Sequence, residues 1–280
     1  MSGFRAAVMC RHSRVRERDS DDAGQFMKVA LMRWLVSPSP YGRGHRLGVV
    51  WFQEPDAHHA IDSDHVDYLN PSDDSGDELR SLDPALYDRL RLIAARSGRP
   101  LSVREACCEL PKDSVRFDRP LTFDALLRDD PAARVVSRQR WFHEAMVALS
   151  ACSLVFLDSD VGDDVDDSQP ASGDSADEGV WMSEVGQLLD RGQSVVTHQL
   201  IEPSRARPDS IRTHLNDVHG AVGVEPLVLV RESGDRTRFF TVIPHGHHRS
   251  DMQDRIGALQ LTRWGDEFRV HRRHPTLVSA

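Results

Sequence analysis

Between Gln25 and Val36 the apolar residues fall at Phe26, Val29, Ala30, Met32 and Leu35, a spacing that predicts a helix with a broad buried face. Asp22, with Gly24 just after it, is placed to cap that helix. The run LGVVWF from Leu47 to Phe52 is short, β-branched and aromatic, which predicts a buried strand. Gln53-Glu54-Pro55-Asp56 ends it, because proline cannot continue the pairing. Residues 57–78 are rich in Asp, His and Ser without a period and read as a long loop at the strand's carboxyl end. Asp83-Pro84 then signals a helix to about Arg96, and Ser102 with Glu105 offers a capping box for a short helix to Leu110.

Downstream, Val135, Val136, Trp141, Phe142, Ala145, Met146 and Leu149 share one side of a helix predicted over Ala132–Ala151. It leads directly into a strand at Leu154–Leu157. A helix near Val180–Leu189, a turn at Arg191-Gly192, the strand SVVTHQLI from Ser194 to Ile201 and a helix around Ser210–Val218 follow. Two strands, Pro226–Arg231 and Thr237–Ile243, flank a hairpin loop, and the tail from Ile256 to Val270 holds a last helix or strand pair. Alternating helices and strands predict a single α/β domain over residues 1–280. Its expected form is a Rossmann-like, mostly parallel sheet with helices on both faces and a C-terminal antiparallel hairpin.

Composition refines this picture in a few places. From Asp158 to Glu178 there are nine acidic residues and no lysine or arginine, so residues 160–178 read as an acidic flexible insertion, and residues 1–20 as a mobile polar lead. The net charge of −9 argues against broad attraction to a polyphosphate. Four cysteines without metal-ligand spacing and an opening without a long apolar run point to a cytoplasmic protein that does not engage a membrane. Only Lys28 and Lys112 are lysines among the 35 basic residues, which makes each position informative.

In an open parallel sheet ligands bind beyond the carboxyl ends of the strands. Three strand ends carry reactive groups here: Glu54 and Asp56, Asp158 and Asp160, and His198. Asp158 follows VFL directly and needs a cation, a backbone donor or water if it is buried. Its alternative reading is a loop-start cap. His198 is either a satisfied interior residue or a proton carrier. Lys28, one turn after Asp22-Ala23-Gly24, is either a solvated side chain or a cation near an anion-favouring helix terminus. His58, His59 and His65 lie in the long loop, and His245, His247 and His248 follow Pro244. Neither set has a metal-binding helical spacing. Trp51, Trp141, Trp181 and Trp264 lack an accompanying basic stripe and read as core or interface.

The helix Asp22–Leu35, the strand Leu47–Phe52 with Pro55-Asp56, the strand end Val155–Gly162 and the strand Gly192–His198 together resemble a bacterial family of uncharacterised activity. That family has an LGVVWYLTPDE strand and an FLDPDNG motif. More distantly, the Lys28 helix and the Asp158 strand resemble the DVLKH helix and LIDPPY strand of the 23S ribosomal RNA adenine-N6 methyltransferases. The resemblance implies S-adenosylmethionine as cofactor and nucleic acid as substrate, with Lys28 a cofactor contact and Asp158 the acceptor of the target amine. Gly24, Glu54 and Asp56 join Lys28 as candidate cofactor-binding residues, and Asp160 and His198 join Asp158 as candidate catalytic ones. Several residues depart from these patterns. No Gly-rich loop follows Phe52, Ser159 stands in place of proline, and Val161 departs from DPDNG, which implies altered or lost activity. Two other readings stay open. Asp158, Asp160 and Asp56 could hold Mg²⁺ for a nuclease or phosphoesterase with His198 moving protons. Alternatively, the acidic insertion binds a basic protein partner in a non-catalytic subunit.

Overall fold

A computed structural model describes residues 23–38, 44–52, 69, 74–97, 108–119, 121, 130–158, 179–201, 208–233 and 236–273. In chain order the elements are α1 (Gly24–Val36), β1 (Leu47–Trp51), α2 (Asp74–Arg80), α3 (Pro84–Ser97), β2 (Val115–Phe117), α4 (Pro131–Ala148), β3 (Leu154–Asp158) and α5 (Met182–Asp190). They continue with β4 (Ser194–Ile201), α6 (Pro208–Val222), β5 (Leu227–Ser233), β6 (Arg236–Ile243), a 3₁₀ turn (Gly246–His248), α7 (Arg249–Gln260), α8 (Trp264–Glu267) and β7 (Arg269–Arg272).

The seven strands form one sheet in the order β2-β1-β3-β4-β6-β5-β7. Strands β2, β1, β3 and β4 are mutually parallel, β6 runs antiparallel between β4 and β5, and β7 pairs antiparallel to β5. The expected α/β class with a parallel core and a C-terminal antiparallel hairpin is therefore the observed one. From β1 the chain reaches β2 on one side and β3 on the other, which makes the β1–β3 boundary the topological switch point of the sheet.

Alternation along each strand divides the core in two. Leu47, Val49, Leu154, Phe156, Val196, Phe240 and Val242 face α1, α3 and α7. Val50, Val155, Leu157, Val195 and Ile243 face α4 and α5, and α6 covers Val228, Val230 and Phe239 beside them. Helix α1 is enclosed between the sheet and an outer layer. Phe26, Met27, Val29, Ala30, Leu31, Met32, Leu35 and Val36 are all buried, so over residues 26–32 this helix is enclosed on every side and not only on one face. Arg33 ties it to Asp83 (2.7 Å) and the Glu109 carbonyl, and Trp34 donates to the Arg255 carbonyl.

Several local expectations change. The cap of α1 is Ala23, with no side-chain hydrogen bond, and Asp22 lies outside the described residues. The loop read over 57–78 gives way to α2 at Asp74, held by buried Leu79. Asp83 does cap α3, accepting from the Leu86 N–H at 3.0 Å. Helix α4 stops at Ala148, three residues short of its expected end, and Gln193 donates to the carbonyls of Leu149 and Cys152 beyond it. Strand β2 has only three residues, all partly exposed or exposed, which is too little pattern to read. The tail holds both a helix and a strand. Gly192 takes φ 84° at the expected turn, a conformation glycine reaches without steric cost. The polar lead, the short helix from Ser102 (apart from turn residues 108–110) and the acidic insertion 160–178 lie outside the described residues. Among the described residues no helix is long and apolar enough to cross a membrane.

On the α4 face, Arg138 is fully buried in a bidentate ion pair with Glu184, Nε to Oε1 and Nη2 to Oε2 both at 2.7 Å, and it also donates to the Gly179 carbonyl. Its guanidinium lies 4.1 Å from the Trp181 ring centroid and 5.3 Å from that of Phe52. This contact fixes the start of α5 against the end of β1. Arg138→Met removes the cation that compensates the buried Glu184 carboxylate. Urea unfolding should show a loss of about 3–5 kcal/mol, with much of it recovered in Arg138→Met/Glu184→Leu.

Candidate functional site

Parallel register aligns Trp51 of β1, Asp158 of β3 and His198 of β4, and antiparallel pairing adds Phe240 of β6 to the same row. Cross-strand neighbours point to one face, here the α1 face. Lys28 lies one turn into α1, so the enclosed helix lowers its ammonium onto the end of that row. Its Nζ is 2.9 Å from Asp158 Oδ1, and both side chains are almost wholly buried, at 3% and 5% exposure. A buried ammonium without a counter-charge would cost several kcal/mol, and Asp158 supplies that charge.

His198 is fully buried beside the same carboxylate, with Nδ1 3.4 Å from Asp158 Oδ1, longer than a close hydrogen bond. Its ring packs on Phe240 with centroids 4.9 Å apart. On its other side, Nε2 meets Arg238 Nη1 at 3.1 Å. Arg238 is itself buried and lies across the start of α1. A Cβ built on Gly24 would fall 2.3 Å from Arg238 Nη2, so glycine there leaves room for the guanidinium.

Burial alone would raise the Asp158 carboxyl, but Lys28 and His198 outweigh it and hold the group well below the usual carboxylate range. His198 moves the other way from an ordinary imidazole. Burial first, then the Lys28 charge, holds it down to about 4 against the pull of Asp158. The site is thus a carboxylate, an ammonium, a guanidinium and a neutral imidazole, which can accept from an amine at Asp158 and attract an anion beside the amino end of α1.

The structure brings together Lys28 and Gly24 of α1, Asp158 of β3 and His198 of β4, four residues from three segments. Glu54, Asp56, Asp160, His58, His59 and His65 lie outside the described residues, so the Mg²⁺ reading and the acidic-partner reading have no placed residues beyond Asp158 and His198. Among the described residues no group of three or more His, Cys, Asp or Glu side chains is arranged to hold a metal ion. His245, His247 and His248 sit at the opposite, amino-terminal ends of the strands. There His248 Nδ1 is 2.9 Å from Ser194 Oγ, and His45, stacked edge-on to His248, pairs with Asp251 at 2.6 Å. Trp141 and Trp264 are buried in the core, and Trp181 covers Arg138.

Arg238 was not singled out in the sequence, although a signal exists. Phe240 and Val242 face inward, so a residue two positions before Phe240 on the same strand shares that face. Arg138 carries the same kind of signal. It lies at helical spacing with Trp141, Phe142 and Ala145, on the buried stripe of α4.

No protein-family model and no curated protein matches this chain. Among solved structures, the crystal structure of protein LPL1258 from Legionella pneumophila, assigned to the family model DUF519, aligns with 89% of this chain and 95% of its own at 9% identity and a TM-score of 0.42.

Lys28→Met should lower stability by about 3–5 kcal/mol in urea unfolding, because it strands the Asp158 charge, and the further change Asp158→Asn should restore part of the loss. The imidazole also makes stability depend on pH. An unfolded chain binds a proton at His198 near 6.5 and the folded chain near 4, so folding stability falls as pH drops through that window. His214, buried against Thr241 and also held down to about 4, acts in the same sense. His198→Gln should flatten part of the acid-side loss in pH-dependent unfolding curves, leaving the His214 share.

Proposed function

We propose that this protein is a Rossmann-like relative of the S-adenosylmethionine-dependent methyltransferases that act on adenine amines in nucleic acid, with chemistry altered from that of the family. The observation that carries this reading is the contact between Lys28 and Asp158 at the topological switch point, at 2.9 Å. The resemblance gives the lysine to the cofactor and the acid to the amine, and such roles require the two groups to meet at one place.

The residues present fit the amino-acid end of such a cofactor. Among the described residues, Lys28 and Arg238 bring two cations to the carboxylate of Asp158, and the N-cap residue of α1, Ala23, makes no side-chain cap. A carboxylate is stabilised by that combination of charge and helix terminus. Bound there, S-adenosylmethionine would supply an activated methyl group. Lys28 would hold its carboxylate, and Asp158 would accept a hydrogen bond from the amine to be modified, which orients the nitrogen lone pair outward. His198 would keep the Asp158 carboxylate aligned.

The alteration follows from the same contacts. Asp158 is engaged by Lys28 and is only 8% exposed, so an incoming amine has to share or displace the ammonium. Ser159 replaces the proline of the family motif, and the end of β1 lacks the glycines that let backbone approach a cofactor closely. Weak transfer or binding without transfer is the expected behaviour.

Isothermal calorimetry on the full chain tests the reading. S-adenosylmethionine should bind, and Lys28→Ala should weaken it by about tenfold to a hundredfold, the size of one lost charge-assisted hydrogen bond. Asp158→Asn should leave uptake largely intact while removing any methyl transfer to adenine-containing RNA or DNA. A wild-type protein that takes up no S-adenosylmethionine overturns the proposal.

A further inference from the structure

We infer that Arg238 is a positioning residue that fixes His198 as the neutral Nδ1–H tautomer and so directs the imidazole proton toward Asp158. This follows from the chemistry of the two side chains, whatever ligand the site takes. A guanidinium carries donors and no acceptor, and it stays protonated at any pH a protein survives. Arg238 Nη1 lies 3.1 Å from His198 Nε2, so Nε2 has to present its lone pair to the guanidinium. The proton of a neutral ring then sits on Nδ1, the nitrogen that faces Asp158 Oδ1 at 3.4 Å. Among the described residues, Lys28 from α1, Asp158 from β3 and Arg238 from β6 are the charged groups around this ring, and Phe240 covers its face. A second proton on His198 would sit on Nε2 and point at the Arg238 guanidinium, like charge against like.

The consequence is a division of labour. His198 acts through Asp158 and does not itself carry a proton between a ligand and solvent, since its second nitrogen is occupied by Arg238. Asp158 receives its orientation from two sides, Lys28 and His198. Gly24 belongs to the same device. Side-chain atoms at that position would overlap the guanidinium, with the Cβ 2.3 Å from Nη2 and 2.6 Å from Cζ, so the start of α1 sets where Arg238 can lie.

The test is ¹⁵N NMR of the imidazoles in the full chain at neutral pH, with the His198 signals among the fourteen histidines assigned by their loss in His198→Gln. In the wild type one nitrogen, Nδ1, should be protonated and Nε2 should show the shift of a ring nitrogen accepting a hydrogen bond. Arg238→Met should release the ring, giving a mixture of tautomers or a shift toward the cation, and Arg238→Lys, which restores a cationic donor, should recover the Nδ1–H pattern. Gly24→Ala keeps the arginine but displaces its mobile end, and should reproduce the Arg238→Met spectrum in a chain whose β6 is unchanged. An Nε2–H or doubly protonated His198 in the wild type would overturn the inference, as would an unaltered His198 pattern in Gly24→Ala. A purely packing role for Arg238 predicts no such tautomer change. S-adenosylmethionine is absent from every arm, so failure here and failure of cofactor uptake are separate results.

Discussion

The burial of one ammonium governs how this molecule is put together. Helix α1 is enclosed on all sides, and Lys28 sits in its first half where water does not reach, at 3% exposure. Enclosure makes a counter-charge obligatory, and among the described residues the sheet offers one where β3 ends in a carboxylate on the α1 face. Asp158 is that residue. The pairing therefore ties the height of α1 over the sheet to the length of β3, and it links the outer helices, through α1, to the switch point between β1 and β3.

Such a pair is weak evidence for stability, because apolar residues of similar volume often do as well. Its retention is better understood by what it leaves behind. Removing two opposite charges from water in one place creates a polar spot inside a hydrophobic layer, and that spot recruits others: His198 on the neighbouring strand, then Arg238 on the strand after it. Each new member meets the previous one through a specific atom, so the cluster is directional. Among these four groups, cation charge exceeds anion charge, and the excess lies toward the amino end of α1.

How much of this was legible in the sequence varied with the kind of signal. The helix α1 and the strands β1, β3 and β4 announce themselves through period and β-branched runs, and the rarity of lysine marked Lys28 before any contact was known. Asp158 could be placed at the end of its strand by phase alone, whereas His198, grouped with the strand ends, lies inside β4, which continues to Ile201. Their partner Arg238 could not be paired, because its neighbour depends on β6 entering the sheet antiparallel between β4 and β5, a long-range choice that leaves no local trace. Strand β2 was unreadable for a different reason. Three residues with half-exposed side chains carry too little alternation to separate a strand from a turn. The cap of α1 misled as well, since Asp22 matched a cap by type while the cap position falls on Ala23.

The chemistry open to the site follows from the same exchange that stabilises it. A ligand that brings a carboxylate to Lys28 offers the ammonium a second partner, and a ligand that brings an amine offers Asp158 one. Either alone would leave a buried charge half-compensated, whereas both together would replace one ion pair by two contacts of the same polarity in the same low-dielectric space. The cluster is thus electrostatically suited to a pair of groups and poorly suited to a single one. His198, held at Nε2 by Arg238, faces the carboxylate with Nδ1 at 3.4 Å throughout that exchange. Order in the cluster therefore comes from the fold, through Gly24 and the antiparallel β6, before any ligand arrives.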